Sequence, residues 1–135
     1  MPGGFWQHIV DSSMALPTDR PLGDLTAELV TMLGSSDPVD RDIAATVLAR
    51  WIRDGVYDDL LLSVGDSIVR GLETGLGRTD DETVFRRSFS ALVLARCVAR
   101  DNAAILIPVD AVLDWADRSL HWYVAERDLR GLVPG

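Results

Sequence analysis

The chain has 135 residues, 21 of them acidic against 13 basic, and a net charge of −8 at neutral pH, so its overall field repels phosphate backbones and argues against nucleic acid as a partner. With 47% hydrophobic and 25% charged residues, the composition is that of one folded domain, 1–135, large enough to enclose a core without disulfides or a structural metal. No uncharged stretch reaches the ~18 residues a membrane span needs, the N-terminus has no basic leader, and the single Cys97 rules out an intrachain disulfide. These features point to a cytoplasmic protein, and a basic complement made of Arg alone points to a GC-rich bacterial source.

Apolar residues recur at three-and-four spacing through most of the chain, which predicts helices throughout. A first helix runs from about Phe5 to Met14 and stops before Leu16-Pro17, because the residue preceding a proline is pushed out of the helical region. A second covers about Leu22 to Leu33. Ser36-Asp37-Pro38-Val39-Asp40 is the clearest start signal: Asp37 can cap free amides, Pro38 suits the first helical position and Asp40 favours the positive helix end. The third helix carries Ile43, Val47, Leu48, Trp51 and Ile52 on one stripe, and Gly55 supplies a left-handed stop.

A fourth helix, about Asp58 to Glu73, ends in the turn Gly75-Leu76-Gly77. The fifth, about Asp81 to Arg100, is apolar nearly all round from Phe89 to Ala99, the pattern of a central helix enclosed on several sides. The sixth runs from Pro108 to about Glu126, with Val109, Val112, Leu113, Ala116, Leu120, Tyr123 and Val124 expected to face inward. Trp51 and Trp115 read as core anchors, and Cys97 as a buried small hydrophobe.

An offset of 46 residues places Arg41 on Arg87, Ala45 on Ala91, and Val47-Leu48-Ala49-Arg50 on Val93-Leu94-Ala95-Arg96. The fourth and sixth helices align near the same offset, Val64, Ser67, Ile68 and Gly71 against Val109, Val112, Leu113 and Ala116. Two helices per unit at this period is the range of HEAT and armadillo repeats. The expected fold is therefore all-α, a right-handed α-α superhelix of about three HEAT-like helix pairs and six main helices.

Several segments resemble the bacterial family catalogued as domain of unknown function 2785: Trp6 with Leu16-Pro17, Leu33-Gly34-Ser35-Ser36-Asp37-Pro38 with Arg41-Asp42, and Trp51-Ile52-Arg53-Asp54-Gly55. Gly75-Leu76-Gly77, Phe85-Arg86-Arg87-Ser88-Phe89-Ser90-Ala91-Leu92 and Glu126-Arg127-Asp128-Leu129-Arg130-Gly131 complete the set. The resemblance implies the helical-repeat fold and no established activity. Members of that family continue into a helix of the Gly-Trp-x-His-x-x-Ala-His type, whereas this chain stops at Val133-Pro134-Gly135, which implies a C-terminally shortened form. A solenoid end without its cap should expose apolar surface on the sixth helix and promote a homodimer through it.

Candidate chemistry is sparse. Glu126, Asp128 and Arg130 follow His121 closely and read either as solvated or ion-paired groups at a helix end, or as part of an acid-base or metal site that downstream histidines would complete. Arg41-Asp42 and Arg87-Ser88 stand at equivalent starts of repeat helices, where an Arg can bond a neighbouring loop and fix the stacking angle, or grip an anionic ligand or peptide carboxylate through its fork. No cofactor, bound metal or catalytic residue is expected. The function that follows is a protein- or peptide-binding scaffold, with the N-terminal part of a hydrolase-like or metal-dependent enzyme as the alternative.

Overall fold

Asp37 opens its helix as its chemistry dictates: the carboxylate accepts from the Val39 amide at 2.9 Å, and Pro38 takes the first helical position. In the computed structural model, which describes residues 2–79, 81–128 and 130, the helices are α1 (Pro2–Asp11), α2 (Leu22–Met32), α3 (Pro38–Arg53), α4 (Leu61–Glu73), α5 (Thr83–Ala104) and α6 (Val109–Ala125), with a 3-10 turn Asp58–Leu60 before α4. The described residues are all-α and contain no strand. Leu129 and residues 131–135, with the Val133 position at which the repeat offset would begin a further unit, lie outside the described residues.

α3 packs against α1, α2 and α5, and α4 packs against α5 and α6. The core between them is apolar. Trp6, Leu25, Leu29, Ala44, Val47, Leu48, Ile52, Ile68 and Leu72 are completely buried. Its N-terminal end is aromatic: the Trp6 and Trp51 rings stand 5.9 Å apart and those of Trp51 and Tyr57 6.4 Å. Each polar atom of this cluster is satisfied, Trp6 donating to Glu28, Trp51 to the Met14 carbonyl, and Tyr57 sharing a 2.8 Å bond with Thr26, so the rings are buried without a desolvation penalty.

At the other end, Trp115 of α6 lies on α4. A Cβ on Gly65 would come within 2.1 Å of its ring, so this close approach exists only because position 65 has no side chain, and the indole donates to Asp66 at 2.8 Å.

Two expectations are corrected. Val109, Leu113, Leu120, Tyr123 and Val124 point outward, 62–76% exposed, and Ala116 is exposed with them while Val112 is half-buried. A second apolar face of α6, centred on Trp115, faces the body instead, because the indole buries more surface and Gly65 leaves room for it. The alignment of α6 with α4 therefore does not extend to burial: Val64 and Ile68 are core residues, while Val109 and Leu113 are not. The second correction concerns α5, which is not enclosed on all sides. Val93, Leu94 and Cys97 are buried, but Leu92 is 61% exposed and Ala95, Arg96 and Ala99 are also open to solvent.

Candidate functional site

Arg41 and Arg87, matched by the 46-residue offset, do similar work. Each reaches back to the loop that precedes its own helix: Arg41 donates to the Ser35 carbonyl at 2.8 Å, and Arg87 to the carbonyls of Thr74 at 2.9 Å and Gly75 at 2.8 Å. Helix-connecting loops leave carbonyls without intrahelical partners, and a guanidinium on the following helix satisfies them while locking the turn.

Around these two arginines the tertiary structure gathers most of the remaining candidates. The Arg87 fork donates to both oxygens of Glu126, Nε to Oε2 at 2.6 Å and Nη2 to Oε1 at 2.9 Å, and the two side chains are 0% and 3% exposed. Trp122 and the Asp128 amide donate to the same carboxylate. Burial alone would raise the Glu126 carboxyl, yet the Arg87 fork, with help from the Asp128 amide and Trp122, outweighs it and holds the group below the ordinary carboxylate range. Asp128 pairs with Arg130, which also donates to the Asp81 carbonyl. Arg41 lies over the Phe85 ring at 4.0 Å, and Arg130 approaches the same ring at 5.6 Å.

Five of the seven candidates, Arg41, Arg87, Glu126, Asp128 and Arg130, thus form one clamp around the start of α5 and the end of α6. Asp42 stays outside it, exposed, and Ser88 bonds only back to the Phe85 carbonyl among its recorded bonds. His121 is exposed on α6, whereas the Glu126 side chain, at the cap just past that helix, is buried, and no hydrogen bond or ion pair joins the two among the described residues. Among the described residues no group of three or more His, Cys, Asp or Glu is placed to hold a metal ion.

A separate surface feature lies along the seam of α3 and α5. A groove of about 590 Å³ runs there, floored by Ala45, Ala49, Val93 and Ala99 with the exposed Leu92, and rimmed by Arg50, Arg53, Arg96 and Arg100. Asp54 pairs with Arg50 at 2.8 Å and Arg53 at 3.3 Å, and Asp58 pairs with Arg100 at 2.7 Å. Four guanidinium groups against two carboxylates leave this rim positive on a chain whose net charge is −8.

Sequence reasoning passed over this groove, although its signal was present: Arg50 and Arg96 are the last residues of the four-residue repeat match. Their shared position on neighbouring helices puts both on one rim, but the adjacency of α3 and α5 had to be known first.

No helix among the described residues is long and apolar enough to cross a membrane. No curated protein and no solved structure matches the chain. Residues 72–135 match the model of the family described as Protein of unknown function (DUF2785), so α5, α6 and the Arg87–Glu126 clamp between them belong to the part of this chain that is similar to that family.

Proposed function

We propose that the protein is a HEAT-like helical-repeat scaffold, a short right-handed superhelix of a bacterial cytoplasm, that binds an acidic amphipathic segment of a partner protein in the groove between α3 and α5. The observation that carries this reading is the pairing of an apolar floor, Ala45, Ala49 and Leu92, with a rim of four arginines. Alanines on neighbouring helices let a third helix approach closely, and an apolar stripe laid in such a groove is a recurring mode of peptide recognition. Guanidinium forks select carboxylates at its edges. Arg96 has no carboxylate partner among the described ion pairs, so its fork is free for an incoming one.

The test is fluorescence anisotropy with a labelled helical peptide carrying Leu at three-and-four spacing and Glu on both flanks. Binding should weaken about tenfold in Arg50→Gln/Arg96→Gln, a loss of about 1.4 kcal/mol, and weaken as salt rises. Equal affinity for the Glu peptide and its Lys counterpart would remove the charge argument and with it this reading.

We further propose that α6 forms a homodimer. Its exposed Val109, Leu113, Leu120 and Val124 are symmetric in sequence about Ala116 and Asp117, so an antiparallel pair brings Val109 against the partner's Val124 and Leu113 against the partner's Leu120. Self-complementarity of this kind is what a two-fold interface requires. With Tyr123 these side chains offer on the order of 600 Å² per protomer, and about 1,200 Å² in all is the lower edge of stable interfaces.

A further inference from the structure

Between α2 and α4 lies a cavity of about 330 Å³ whose wall includes Thr26, Ser63, Ser67, Arg70 and Arg86. Its charge is unusual for this chain. Eight arginines, Arg20, Arg50, Arg53, Arg78, Arg87, Arg100, Arg118 and Arg130, are ion-paired among the described residues. Arg70 and Arg86 share one cavity, and neither is in an ion pair among the described residues. Among the described residues Arg70 donates to the Ser67 hydroxyl alone, at 3.1 Å.

Arg86 is more exceptional. Its stem is held between helices, with Cδ 3.2 Å from where a Gly34 Cβ would stand and Nε 3.1 Å from the corresponding point at Gly71. Its Nε, like that of Arg41 and the Ser90 hydroxyl, is buried without a hydrogen-bond partner among the described residues; it lies against Gly71 and is closed to solvent, so only the outer end of the guanidinium can face the cavity. Burial, and then the nearby charge of Arg70, lower the Arg86 pKa from its ordinary value, as expected when two like charges meet in a partly dry place without a counter-ion.

We propose that this cavity binds a small oxyanion, a phosphate or carboxylate group, between the guanidinium groups of Arg70 and Arg86, with the Ser63 and Ser67 hydroxyls as further donors. Arg forks match the planar or tetrahedral array of such oxygens. Ala27, Val30 and Val64 on the same wall leave an apolar surface for a small organic body attached to the anion. The site is separate from the α3–α5 groove and does not depend on it.

The experiment is a titration of the full chain with sodium phosphate, and separately with sodium acetate, at ionic strength held constant with sodium chloride, followed by amide chemical shifts and by melting temperature. Saturable shifts at Ser63, Ser67 and Arg86, with a rise in Tm, are expected for at least one of the two anions; the anion that saturates first identifies the headgroup class. Arg70 is exposed, so Arg70→Gln should keep the fold and weaken the midpoint about tenfold. Absence of saturation for both anions, shifts that map to another surface, or a midpoint unchanged in Arg70→Gln would each overturn the proposal.

Discussion

Arg87 and Glu126 stand 39 positions apart and meet as a two-pronged ion pair at 2.6 and 2.9 Å, with both side chains almost wholly withdrawn from water. Removing one partner leaves the other charged and buried, which is costlier than removing both. Glu126→Gln should lose about 3–5 kcal/mol in urea denaturation, and replacing the pair together, Arg87→Met with Glu126→Leu, should lose less than the single change. Equal or greater loss in the double variant would mean that Arg87 acts mainly through the Thr74 and Gly75 carbonyls.

The same pair sets an acid dependence. The Glu126 carboxyl is depressed in the folded protein, so its contribution is fully present above the unfolded-state value, near 4.3 for a free glutamate, and is lost as pH falls through the folded value. The wild-type chain should lose stability over that acid window more steeply than Glu126→Gln, as followed by urea midpoints at successive pH values.

At alkaline pH the sign reverses. Burial pushes the Cys97 thiol up to about 12, and burial, partly opposed by the hydrogen bond with Thr26, pushes the Tyr57 hydroxyl up to about 12. Both groups favour the folded state while neutral, so their contribution is complete below the unfolded values, about 8.5 and 10, and declines as pH rises through them toward the folded values. Cys97→Ala should flatten the decline from pH 9 upward, and Tyr57→Phe that above pH 10. In the native protein Cys97 should resist a thiol reagent that labels it at once in urea.

Gly65 and Gly23 make a matched pair of probes within helices. A Cβ at Gly65 collides with Trp115, whereas one at Gly23 meets nothing within 4 Å. Gly65→Ala should destabilise by about 1–3 kcal/mol through overpacking, and Gly23→Ala should be neutral or stabilising by up to about 1 kcal/mol through helix propensity. Urea midpoints check both.

The exposed stripe of α6 leads to a concentration-dependent prediction. Sedimentation should show a dimer that Leu113→Asp/Leu120→Asp abolishes without lowering the melting temperature of the monomer, since both residues are more than half exposed. A wild-type chain that stays monomeric at high concentration would exclude the α6 pairing.

Much of the local structure was legible because it depends on neighbours along the chain. Asp37 and Pro38 start α3, and Gly55, at φ +84°, lies just past its end, because capping and left-handed turns are decided within a few residues. Boundaries moved where the signals were weaker: α1 ends at Asp11 rather than Met14, and α5 continues to Ala104. The burial of Trp51, Trp115 and Cys97 was legible too, since large or apolar side chains within helical stripes have little alternative.

The sequence by itself determined that this chain is helical, where most of its turns fall, and that Arg41 and Arg87 occupy matching places, because periodicity and capping act over one or two helical turns. Only the tertiary structure decided which of the two apolar faces of α6 is buried, that Arg87 meets Glu126, and that Arg50 with Arg96, and Arg70 with Arg86, share a groove and a cavity. Those outcomes depend on which helices become neighbours, and that is settled by the packing of whole surfaces, such as Trp115 into the space left by Gly65, which no stretch of sequence specifies alone.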